Sequence, residues 1–258
     1  MAGPSWARVL VGALVVGLLV GVARAPGTDE ADAAASRPPP LTVELPPGLP
    51  EVATTGALPA TPPGVRGVTA AGGTTVALTF DDGPDPVVTP ALLDLLRDLQ
   101  VPSVFCVVGT QVEAHPDIVA RIHAEGHALC DHSASHDLRL PQRDADTIHR
   151  EVVGTLRLIQ ETASGAEVPY WRAPGGNWSA TVDDVARAEG MTPLGWTVDP
   201  RDWEGPGPEV LVDRILTGVR PGAVVLLHDG GGDGADVVAA LPVVVGALRE
   251  AGYDFVLP

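Results

Sequence analysis

From about residue 73 onward, short apolar runs alternate with longer stretches whose apolar residues recur every three or four positions. The runs "TVALTF", "SVFCVVG", "HALC", "YWR", "TPLGWTV", "AVVLLH" and "YDFVL" predict seven β-strands. Between them "PALLDLLRDL", "PDIVARIHAEG" and "DADTIHREVVGTLRLIQET", with segments near 181–189, 208–218 and 236–251, predict helices. Pro116 opens the second of these helices and Gly126 lies just past its end, each where helix termini favour it. Strands alternating with helices build a parallel sheet. No Gly-rich dinucleotide turn follows the first strand, which favours a closed or distorted barrel over an open sheet.

This pattern sorts the polar residues. Asp81 and Asp82 follow the first strand, Asp131 and His132 the third, and Arg172 ends the fourth. Asp199 follows the fifth, and His228 with Asp229 ends the sixth. In a parallel barrel these positions share the face made by the C-terminal strand ends, where barrel enzymes keep their active sites. One such residue is an ordinary turn former; five strand ends carrying acid, His or Arg mark a site.

The segments before residue 73 read differently. Val9 to Ala23 is an unbroken apolar stretch with Arg8 before it, the length of a signal-peptide core rather than of a spanning helix. Ala23-Arg24-Ala25 has the form of a cleavage site, although Pro26 hinders cutting there; cleavage near Ala31-Asp32-Ala33 and retention as an anchor are the alternatives. Residues 1–25 are therefore expected to be a signal peptide or N-terminal membrane anchor. Ten of the 26 prolines fall between Pro26 and Pro63, so residues 26–72 are expected to form a disordered Pro/Ala/Thr-rich linker ahead of a module at 73–258. The expected location is secreted or membrane-anchored in the cell envelope. The net charge is −17 and the chain has no lysine, which excludes a nucleic-acid footprint.

Cys106 and Cys130 leave two readings open. They form a disulfide if their apolar runs are neighbouring strands, or they are two buried thiols; without a C-x-x-C spacing they are not metal ligands.

"DHSASH" places His132 and His136 four residues apart, a spacing that on a helical turn puts both imidazoles on one face to grip a divalent metal. A carboxylate from another strand end, Asp81 or Asp82, completes a set of two histidines and one aspartate with open positions, the arrangement of catalytic zinc. Adjacent residues at a strand end point to different sides, so one aspartate can hold the metal while the other faces the reacting water. A capped turn before Gly83-Pro84 accounts for one aspartate and leaves the second unexplained.

"TFDDGP", "HSASH", "RAPGG", "DPRDW" and "LLHD", in this order, resemble the five motifs of the NodB-type polysaccharide deacetylases, carbohydrate esterase family 4, over roughly residues 74–258. The resemblance implies a distorted (β/α)7 TIM-like barrel, the NodB homology domain. It implies that Asp81 is the general base, that Asp82, His132 and His136 hold a divalent metal, zinc first and cobalt or another ion as substitutes, and that Arg172 pairs with the base. It further implies that His228 is the general acid tuned by Asp199, that Gly175 supplies an N–H to the reacting carbonyl, and that Leu226 and Trp203 line the acetyl pocket. Gly175 stands where the family often has an aromatic residue, which leaves that wall more open unless Trp178 compensates. Trp178 and Trp203 are the sugar-stacking candidates, with Trp171 and Trp196 in the core.

The activity implied is metal-dependent removal of N-acetyl groups from an N-acetylglucosamine polysaccharide, of the peptidoglycan or chitin type. The alternatives are an O-acetyl esterase on xylan with the same site, and a non-catalytic carbohydrate-binding module on this fold. The second predicts loss of the base or acid, yet Asp81 and His228 are both present. The polysaccharide is the only expected partner apart from a membrane through the N-terminal anchor, and the module is expected to act as a monomer.

Overall fold

The computed structural model describes residues 44–258; the expected signal peptide or anchor and the first part of the expected linker lie outside them. The seven strands are β1 (Thr75–Asp81), β2 (Ser103–Val107), β3 (Ala128–Asp131), β4 (Tyr170–Trp171), β5 (Thr192–Pro193), β6 (Ala223–His228) and β7 (Asp254–Phe255). They form one parallel sheet in the order β5-β4-β3-β2-β1-β6, with β7 beside the start of β1. The long strands read as continuous apolar runs because both faces are covered: every residue of β1 and β2 is buried. Phe80 stacks on Phe105 across β1 and β2 at 5.1 Å.

The helices are α1 (Val88–Leu99), α2 (Gly109–Ala114), α3 (Pro116–Ala124), α4 (Ala145–His149), α5 (Thr155–Thr162), α6 (Ala180–Ala188), α7 (Pro208–Gly218) and α8 (Ala235–Glu250). Arg150–Gly154 forms a π turn that joins α4 to α5, so the long helix expected over that region is one rod with a widened middle. Helix α2 has no counterpart in the sequence pattern. Among the described residues no helix is long and apolar enough to cross a membrane.

The expected fifth strand, "TPLGWTV", is broken. Thr192–Pro193 pairs with β4, whereas Val198 bridges Val225 of β6, with Thr197 N–H donating to Val224 O at 3.0 Å and Leu226 N–H to Val198 O at 2.9 Å. The segment therefore crosses from one sheet edge to the other and closes the barrel imperfectly.

Residues 44–72 correct the expectation of a disordered linker: they belong to the same compact unit as the barrel. Arg66 N–H donates to Pro193 O at 2.8 Å and Arg66 O accepts from Gly195 N–H at 2.7 Å, while Thr69 N–H donates to Gly222 O at 2.9 Å. The strap thus satisfies backbone groups along the seam that the broken fifth strand leaves beside β6. Val65 is buried, Leu45, Leu49, Val52 and Leu58 pack on the core, and Tyr253 Oη donates to Ala53 O. Prolines are compatible with this because an extended strap needs few N–H donors.

Cys106 and Cys130 are register partners on β2 and β3 and form a disulfide, with Cα atoms 4.1 Å apart. Of the two sequence readings, the bonded one holds.

Candidate active site

At the C-terminal ends of the strands lies a cleft of about 680 Å³ whose floor and walls include Asp81, Asp82, His132, His136, Leu226 and His228. The parallel register of β1 and β6 sets Asp81 directly beside His228. One strand pair therefore carries the two groups that the resemblance assigns to proton transfer.

Asp82 adopts a left-handed φ of 73°, and the Gly83–Pro84 bond that follows is cis. The chain of Gly230 lies so close that a Cβ there would be 2.3 Å from Asp82 O, so only glycine admits this approach. His132 and His136 converge on Asp82, but not from a helix. Asp131 Oδ1 accepts from Ser133 N–H at 2.8 Å and Ser133 Oγ accepts from His136 N–H at 3.0 Å, while Ser133 and His136 are both left-handed. This side-chain-capped turn replaces the helical turn expected from the spacing. Asp82, Ser133, His136 and Arg201 are four of the six left-handed non-glycine residues among those described, so backbone strain gathers at the cleft.

Asp82 Oδ1 lies 3.4 Å from His132 Nε2 and 3.2 Å from His136 Nε2, and the three ligand atoms are within 4.8 Å of one another. His132 Nδ1 faces the Arg172 carbonyl at 2.8 Å. A carbonyl only accepts, so Nδ1 carries the proton, which in a neutral ring leaves the Nε2 lone pair turned toward Asp82, as in metal-ligating histidines. Burial works to raise Asp82, yet His132, His136 and His228 outweigh it and hold its carboxyl below the usual range. Burial lowers His136, whereas at His132 the charges of Asp81 and Asp82 overcome burial and raise it. A buried carboxylate oxygen with no hydrogen-bond partner, facing two imidazole nitrogens, fits a divalent cation.

Arg172 is completely buried beneath this cluster. Its guanidinium donates to Asp81 Oδ1 at 2.7 Å, Thr79 Oγ1 at 2.8 Å, Leu194 O at 2.8 Å and Gly195 O at 3.2 Å. The side chain thereby fixes Asp81, and its own carbonyl fixes His132. Asp81 Oδ2 is left facing the cleft side, 3.6 Å from His132 Nε2.

At His228 the assignment of Asp199 is corrected. Asp202 Oδ1 lies 2.9 Å from His228 Nδ1 and Asp202 Oδ2 accepts from His228 N–H at 2.7 Å, whereas Asp199 Oδ1 accepts from Arg201 N–H at 2.9 Å. The left-handed Arg201 and the 3-10 turn Asp202–Glu204 swing the second aspartate of "DPRDW" inward and leave the first on the exposed wall. Burial alone would depress His228, but Asp202, helped by Asp81 and Asp82, pushes it up to about 9. Asp131 and Asp229, also at strand ends, are buried below the cleft, and burial raises both carboxyls, Asp229 to about 7.

Gly175 is left-handed, lines the cleft, and its N–H donates to no protein acceptor among the described residues. Leu226 is buried in the floor, and Trp203 stands 60% exposed with Arg201 5.1 Å from its ring. Trp171 is core as expected, but Trp196 lines the cleft, and Trp178 packs against Trp196 at 6.4 Å without lining it. Leu138 stands beside Gly175 in the cleft wall. The sequence does not single out Asp202 or Leu138, and it points Trp196 to the core: the motif offers two aspartates, and nothing in hydrophobic periodicity separates a cleft leucine or tryptophan from a core one. His127 is buried and accepts from Ser103 N–H at 3.2 Å, and burial lowers it to about 4.

The family model described as polysaccharide deacetylase matches residues 69–194. The chitooligosaccharide deacetylase of Bradyrhizobium sp. is 37% identical over 190 residues, covering 69% of this chain and 86% of that protein. The peptidoglycan-N-acetylglucosamine deacetylase of Bacillus cereus is 34% identical over 183 residues, covering 70% and 84%. The crystal structure of the Bc1960 peptidoglycan N-acetylglucosamine deacetylase superposes with a TM-score of 0.68 at 33% identity, covering 71% of this chain and 85% of that one.

Proposed function

The chain belongs to the polysaccharide deacetylase family, and we propose that it hydrolyses the N-acetyl groups of an N-acetylglucosamine polymer, of the chitin or peptidoglycan type, to acetate and a free amine. The observation that carries this reading is the pair of proton-transfer groups set side by side in one cleft: Asp81, held by Arg172, and His228, held by Asp202.

Asp82, His132 and His136 would hold the metal, and one carboxylate with two imidazoles suits zinc, with cobalt as a substitute. A divalent ion bound there supplies Lewis-acid polarisation of the acetamide oxygen and acidifies a water. Asp81 Oδ2 takes the proton of the attacking water, and the buried Arg172 keeps that carboxylate from rotating. The Gly175 N–H offers a hydrogen bond to the acetamide oxygen as charge develops on it. His228, protonated at neutral pH because Asp202 sustains the imidazolium, donates to the leaving nitrogen. Leu226 receives the acetyl methyl and Trp203 walls the pocket.

The disulfide suits an oxidising compartment. We place the module, acting as a monomer, outside the cytoplasm in the cell envelope, with residues 1–25 as signal peptide or anchor.

The test is a screen for acetate and amine release on chitooligosaccharides, peptidoglycan and acetylated xylan. Equimolar acetate and amine from the amino sugars, lost with chelator and restored by zinc, is the expected result. Acetate from xylan with the amino sugars left intact overturns the N-deacetylase reading in favour of an O-acetyl esterase.

A further inference from the structure

Leu138 is 54% exposed, and yet the loop that carries it is firmly built. Asp137 O accepts from Leu140 N–H at 2.9 Å, Asp137 Oδ1 accepts from Arg139 N–H at 2.9 Å, and Asp137 Oδ2 pairs with Arg143 Nε at 2.5 Å. Leu140 anchors the loop in the core, and Asn177 Nδ2 donates to Leu138 O at 3.1 Å. The leucine is therefore held out into the cleft by its neighbours instead of collapsing onto the core.

The adjoining backbone of Gly175 makes room for it. A Cβ on Gly175 would lie 2.8 Å from Leu138 Cδ2, closer than such atoms pack, so the bare backbone at 175 and the leucine at 138 occupy one space between them. Among the described residues the exposed large hydrophobics number six, and Leu138 and Trp203 are the two that line this cleft. Apart from glycines, the other exposed residues lining it are Asp199, Glu204 and Asp233.

We propose that Leu138 is a specificity-determining residue that packs on the apolar C–H face of the pyranose next to the reacting sugar, so that the enzyme selects oligomers over small acetylated compounds. This rests on the deacetylase reading above. A pyranose with equatorial substituents presents such a face, and an apolar side chain fixed before binding meets it without an ordering cost.

The test compares Leu138→Ala and Leu138→Met in the zinc-loaded full chain on tetra-N-acetylchitotetraose and on 4-nitrophenyl acetate, which fills the acetyl pocket alone. Leu138→Ala should raise KM for the tetramer about tenfold, with kcat within about twofold, and leave the aryl ester rate unchanged. Leu138→Met should restore the tetramer KM. An unchanged KM in Leu138→Ala, or a parallel loss on tetramer and ester, overturns the assignment. A wild-type chain that cleaves the ester but releases acetate from neither the tetramer nor peptidoglycan overturns the deacetylase reading itself, and this inference with it, before any variant is made.

Discussion

Asp202 holds His228 by two contacts, one to the imidazole Nδ1 at 2.9 Å and one to the backbone N–H at 2.7 Å. The ring is thereby fixed in orientation and in charge, with its pKa at about 9.

A general acid must be protonated to act, so activity falls as pH rises through its pKa. Removing the Asp202 charge lets burial prevail and lowers that pKa. Asp202→Asn should therefore move the alkaline limb of the kcat/KM profile to lower pH and reduce kcat by about 100-fold or more at pH 8. Asp199→Asn should leave the position of the limb unchanged. A profile in which Asp199→Asn shifts the limb and Asp202→Asn does not would return the role to Asp199.

The neighbouring aspartates of β1 should separate cleanly. Asp82→Ala removes one of three ligand groups and should cost more than the about 10- to 100-fold in metal affinity typical of outer partners. Asp81→Asn keeps an acceptor for Arg172 and should retain the metal while kcat falls about 100- to 10,000-fold. Zinc content after dialysis and steady-state acetate release measure the two losses independently. Metal loss in Asp81→Asn equal to that in Asp82→Ala would cancel the division of labour.

The strand ends were readable from sequence because burial on both faces makes β1, β2 and β6 nearly uninterrupted apolar runs, and their polar successors then stand out. Asp81, Asp82, His132, His136, Arg172 and His228 all meet in or under the cleft for that reason. The motif alone does not separate Asp199 from Asp202, because the choice depends on a left-handed Arg201, a backbone state that no side-chain pattern announces. The fifth strand failed for a related reason: "TPLGWTV" has strand-like composition, but Gly195 pairs with the strap while Val198 goes on to β6. Residues 44–72 look like a spacer because their apolar residues are too sparse to fold alone, which says nothing about whether a neighbouring seam can take them up.

The disulfide closes a loop with a sequence separation of 24 between β2 and β3. Loop-closure entropy assigns such a bridge about 3 kcal/mol. Cys106→Ala combined with Cys130→Ala should lower the urea-unfolding free energy by about that amount while zinc binding at 25 °C persists, because neither cysteine lines the cleft. An unchanged unfolding free energy would show that the bridge contributes nothing to the fold.

The strap offers the sharpest test of where the folded module begins. A chain starting at Gly73 loses the hydrogen bonds of Arg66 and Thr69 along the seam and the burial of Val65. Burying one valine is worth about 1.5–3 kcal/mol, and the freed backbone groups of Pro193, Gly195 and Gly222 form an unpaired edge that invites association. A chain starting at Glu44 keeps all of these contacts. Side by side, the Gly73 chain should unfold at least about 2 kcal/mol more easily in urea and aggregate at concentrations where the Glu44 chain stays monodisperse. Equal stability and equal light scattering for the two would mean that residues 44–72 are a spacer after all.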